Sequence, residues 1–128
     1  MASTYRHLAG DSDKGSQDYK VLHARGRMSA RTVKLFLLSN TGSSDASVDI
    51  YLKKPIITVT KRDVDNKPIE TEDHSEVYYV LKNITIPTGS SYNVLEGLGN
   101  FEYNTYLSLH VNVIGNATTT LDLILNYE

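Results

Sequence analysis

The chain has no cysteine and no tryptophan. The absence of cysteine removes disulfide scaffolds, thiolate zinc sites, iron–sulfur centres and thiol catalysis together. Proline is scarce at three residues, and no long apolar run exists: the longest is Leu35-Phe36-Leu37-Leu38. A membrane-spanning helix needs roughly 20 such residues, so none is expected. Residues 1–16, MASTYRHLAGDSDKGS, hold no apolar stretch of the kind a secretory leader requires. Excess positive charge is also missing, since the formal net charge is −2, which argues against general affinity for nucleic acid. What is present is 128 residues, 40% of them hydrophobic and 22% charged, enough for one domain with its own core.

Charge is distributed unevenly. Residues 1–31 carry six basic and three acidic groups, for +3, and residues 32–128 carry seven basic and twelve acidic groups, for −5. Apolar periodicity is weak over residues 1–18 and strong after Thr32. These patterns predict an extended N-terminal arm at 1–18 joined to a folded body at 19–128.

Alternation with period two runs through the body and marks strands. Val33, Leu35 and Leu37 alternate over Thr32–Ser39, with Phe36 and Leu38 making the other face apolar too. Over Ser47–Lys53, Val48, Ile50 and Leu52 alternate with Asp49, Tyr51 and Lys53. The turn-forming run Asn40-Thr41-Gly42-Ser43-Ser44-Asp45 between them predicts a hairpin. Further strands are expected at Tyr19–Ala24, Ile56–Lys61, Glu76–Ile86 (Val77, Tyr79 and Leu81 on one face), Ser91–Glu96, Tyr106–Ile114 and Thr119–Tyr127. That makes about eight strands and no helical stripe. The fold class is therefore all-β: a single antiparallel β-sandwich, jelly-roll or immunoglobulin-like. Leu35, Ile50, Leu109 and Leu123 are expected in its core.

Sites of chemistry are few. Asp63-Val64-Asp65-Asn66 resembles the start of a calcium loop, but Pro68 and His74 stand where that loop needs glycine and glutamate. The segment 62–76, with six acidic and two basic groups, reads instead as a solvated acidic hairpin tip. Gly97-Leu98-Gly99 precedes a strand rather than a helix and reads as a plain turn. The sequons at Asn83 and Asn116 matter only in a secreted protein. His110 alternates with Leu109 and Val111, so it is expected to point outward. It could join an acid and a serine as a triad, but no G-x-S-x-G elbow marks a nucleophile. No catalytic residue, metal or cofactor is expected.

Two features suggest partner contacts. Arg25, Arg27 and Arg31 fall within seven residues, and guanidinium groups suit phosphates or an acidic protein surface. Nine tyrosines offer flat apolar rings with polar tips. The expected partner-binding residues are Tyr5, Arg6, Arg25, Arg27, Arg31, Tyr78 and Tyr92.

The order of a basic N-terminal segment, RTVKLFLLSNTGSSDASVDIYL (31–52), YYVLKNITIPTGSS (78–91) and the closing LSLHVNVIGNATTTLDLIL (107–125) resembles small all-β accessory structural proteins of tailed bacteriophages. The likeness is strongest to those of T4-like phages of cyanobacteria. It rests on strand and turn patterns over residues 19–127 and brings no catalytic residue with it. It implies a non-enzymatic virion component on the head, neck or tail. Its partners would be the major capsid, neck or tail protein and further copies of itself, with no membrane and no nucleic acid involved. The alternative is a carbohydrate-binding or host-adhesion module that uses exposed tyrosines.

Overall fold

The computed structural model describes residues 1–25, 29–96, 98–99 and 101–128. Those residues form eleven strands: β1 (Ala2–Ala9), β2 (Ser16–Leu22), β3 (Ala30–Asn40), β4 (Ala46–Lys54), β5 (Ile57–Arg62), β6 (Pro68–Asp73), β7 (Glu76–Ile86), β8 (Ser91–Asn93), β9 (Phe101–Asn104), β10 (Ser108–Ile114) and β11 (Thr120–Tyr127). All pairings are antiparallel and make three sheets. One runs β1-β11-β3, with β8 and β9 both on the far side of β3. The second runs β2-β10-β4-β7, and β5 and β6 form a separate ribbon. The pairing is nested: β1 with β11, β2 with β10, β3 with β8 and β9, β4 with β7.

The alternation expected in three strands is what buries the core. Val48, Ile50 and Leu52 of β4 and Leu109, Val111 and Val113 of β10 come from the four-stranded sheet. Leu121, Leu123 and Leu125 of β11, with Leu8, Val33, Phe36 and Leu38, come from the five-stranded one. These side chains form one cluster, so the two larger sheets share a single apolar interior.

Four expectations need correction. First, β3 changes face part-way. Val33 pairs with Tyr127 while Leu35 pairs with Asn126, leaving Lys34 as the extra residue of a bulge. Beyond it Phe36 and Leu38 point inward, and Leu35 and Leu37 lie partly buried on the outer face. A run that is apolar on both faces cannot announce such a switch.

Second, β3 and β4 are not a hairpin. The segment after Asn40 carries the chain from one sheet to the other. The Asn40 side chain holds this crossing by donating to the carbonyls of Ser44 (2.8 Å) and Ile86 (2.9 Å) and accepting from the Gly42 amide (2.9 Å). Turn residues mark where the chain reverses, not which strand becomes its neighbour.

Third, residues 1–18 are not an arm apart from the body. β1 pairs with β11 along its whole length, and the boundary drawn after Asp18 falls inside β2. Gly10 makes the β1–β2 turn possible, because a Cβ there would lie 2.3 Å from the Gly115 carbonyl oxygen. Fourth, Val77, Tyr79 and Leu81 do not share one face: Val77 and Tyr79 are exposed, whereas Leu81, opposite Ile50, packs against the core. The β4–β7 register shifts twice, and Asn83 sits at φ 56°, so the strand's alternation does not carry through.

Candidate functional site

The outer face of the four-stranded sheet carries the most developed polar arrangement. His110 projects away from the core, as alternation predicts, yet it is only 3% exposed. Tyr51, its cross-strand neighbour, stacks on the imidazole at 4.8 Å with the planes 9° apart. Tyr79, opposite Tyr51 on β7, packs against that ring at 5.8 Å. The His110 Nδ1 lies 2.9 Å from Asp18 Oδ2, and its Nε2 lies 2.7 Å from Ser108 Oγ. Tyr51 donates its hydroxyl to the other Asp18 oxygen. Since a carboxylate only accepts, His110 donates from Nδ1 to Asp18, and its Nε2 shares a hydrogen bond with the Ser108 hydroxyl.

The order acid–imidazole–hydroxyl is that of a nucleophilic triad. Accessibility decides against that role. Ser108 is 2% exposed, and its hydroxyl also reaches the Lys53 carbonyl at 3.3 Å. A nucleophile must meet substrate, and this one faces its own sheet. What the cluster does is tie edge strand β2 to β10 and β4.

The cluster makes folding pH-sensitive. Partial burial disfavours charge on Asp18, but the hydrogen bonds from His110 and Tyr51 outweigh it and hold the carboxyl below its ordinary 3.8. A carboxyl depressed on folding stabilises above its unfolded value, and that stability is lost as pH falls through the folded one. Urea midpoints should therefore fall as pH drops below about 4. Asp18→Asn should flatten that decline and lower the midpoint at neutral pH. An unchanged acid slope in the variant would contradict the assignment. On the alkaline side, burial and the bond to Asp18 push the Tyr51 phenol up, so it remains a donor.

The β5–β6 ribbon is the least buried element. Every β6 residue and five of the six in β5 are exposed. Ile57 pairs with Asp73 and Val59 with Thr71, so Ile57 and Val59 share one face, and Ile69 falls at a register shift beyond them. Ile57 and Ile69 are each 56% exposed, and Val64 at the tip is fully so. The acidic tip is organised as expected. Asp63 Oδ1 accepts from the amides of Asp65 (2.9 Å) and Lys67 (2.8 Å), and Asn66 adopts φ 64°. These bonds use the carboxylate in shaping a turn. At its root, the ribbon is held by the His74 amide to the Ile56 carbonyl (2.8 Å) and the Ile56 amide to Ser75 Oγ (3.2 Å).

Beside that root, Lys54, Tyr78, Asn104, Tyr106 and Leu107 line an open cleft of about 250 Å³. Tyr78 is 50% and Tyr106 43% exposed. A second shallow cavity, of about 270 Å³, lies over β1 and β11 and includes Tyr5, His7, Asp122 and Ile124.

The expected partner-binding residues are dispersed. Tyr5 is exposed on β1, far in sequence and in sheet order from Tyr78 on β7. Arg6 is exposed but engaged, donating to the Lys20 carbonyl (3.1 Å) and lying over the Tyr19 ring. Arg25 is exposed, and Arg27 lies outside the described residues. Arg31 must be withdrawn as a surface contact, because it is 5% exposed. Its guanidinium donates to the His23 carbonyl and the Tyr103 hydroxyl, both at 3.1 Å, and sits over the Tyr127 ring at 5.3 Å. Tyr92 is half-buried and packs against the core. Nothing in the sequence pairs the cleft residues Asn104 and Tyr106 with Tyr78, since their meeting needs the β9–β10 turn to lie beside the start of β7.

No family model, curated protein or solved structure matches the chain.

Proposed function

We propose that the chain is a non-enzymatic structural component of a tailed-phage virion, an accessory protein that decorates or joins the head, neck or tail through protein–protein contacts. The nested strand pairing supports reading the two larger sheets as one jelly-roll sandwich, with β1-β11-β3-β8 facing β2-β10-β4-β7. The residues with chemical potential, Ser108 and His110, are spent on holding strands together, which favours a scaffold over a catalyst.

The observation that carries the reading is the ribbon. Isolated two-stranded hairpins are marginal in water, and this one has exposed isoleucines and no share in the core. Such an element gains stability when a neighbouring protein covers its exposed apolar side chains. The excess of acid over residues 62–76 would orient that contact while the isoleucines supply most of its affinity.

Quantitative mass spectrometry of gradient-purified particles tests the proposal. The chain should appear in a fixed ratio to the major structural protein across preparations. Recovery only in the free-protein fraction would overturn it.

A further inference from the structure

We propose that the cleft between the ribbon root and the β9–β10 turn binds a saccharide, holding one pyranose ring. Its volume of about 250 Å³ suits a single ring, being below the range of pockets for larger ligands. Tyr78 and Tyr106 give it two half-exposed aromatic walls, and such rings stack on the C–H face of a sugar.

The polar groups match vicinal hydroxyls, which donate and accept together. Asn104 Oδ1 already accepts from the Tyr106 amide (3.0 Å), so its NH2 is left to donate into the cleft. Lys54 forms no ion pair with a carboxylate among the described residues and adds a second donor. The Tyr78 hydroxyl donates to Glu76, which leaves the phenol oxygen in the cleft lining free to accept. An apolar peptide would leave Lys54 and Asn104 unmatched, and an anion such as phosphate would leave the two aromatic walls unused. Aromatic walls with donors and an acceptor at their rim fit a neutral hexopyranose.

The experiment uses the full-length chain on a glycan microarray, followed by saturation-transfer NMR with the saccharides it retains. Binding to at least one hexopyranoside is expected, with transfer strongest to the ring protons of one sugar face. Tyr106→Ala should reduce binding about tenfold, and Tyr106→Phe should keep most of it because the stacking face survives. Circular dichroism confirms that both variants retain the fold, as a side chain this exposed permits. Absence of binding across the array, or Tyr106→Ala binding equal to that of the parent chain, would overturn the proposal.

Discussion

Phe36→Ala should lower the free energy of unfolding by about 3–5 kcal/mol, whereas Leu35→Ala should cost about 1 kcal/mol or less. The two residues are adjacent and both apolar, so only their faces distinguish them. Phe36 is fully buried in the shared interior, while Leu35, on the other side of β3, is only partly buried. Removing the phenyl ring leaves a cavity between two sheets that cannot close without shifting either ladder. Removing the Leu35 side chain takes apolar surface from the outside of the molecule. Urea unfolding of both variants measures the difference. Equal costs would mean that the bulge at Lys34 is misplaced.

The second large effect concerns the ribbon, and it separates folding from attachment. Lys54 and Glu76 are direct cross-strand partners, so residues 55–75 can be replaced by an Asn-Gly turn that closes β4 onto β7. The ribbon contributes nothing to the core cluster, the bonds at its root join its own two sides, and its ion pair with the body is Lys53 with Asp73 at 3.9 Å. The excised chain should therefore unfold within about 0.5 kcal/mol of the full one. A loss of several kcal/mol would mean that the ribbon is part of the body.

How much of this was legible in the residues depends on what each strand buries. β4, β10 and β11 were readable because one face is apolar and the other polar, so period two appears directly. β1 was not, since Leu8 is its only fully buried residue and an edge strand can satisfy the rest in water. The β3 bulge was hidden because apolar residues occupy both faces around it. The acidic hairpin tip at 62–76 was readable from turn formers and charge. The Ser108–His110 pair was half-readable, as residues two apart on a strand share a face. Asp18 and Tyr51 were not, because β2 and β4 meet β10 only through the nested order. Burial of Arg31 contradicts the usual exposure of arginine. It depends on Tyr103 and Tyr127, brought to β3 by two different strands.

The central claim is that this chain joins a particle through its β5–β6 ribbon. The most direct measurement offers full-length and ribbon-excised chains together, in equal amounts, to assembling particles and quantifies each by mass spectrometry after gradient purification. The account predicts enrichment of the full-length chain by about tenfold or more, the effect of losing a few anchoring side chains. Equal incorporation of the two would contradict it.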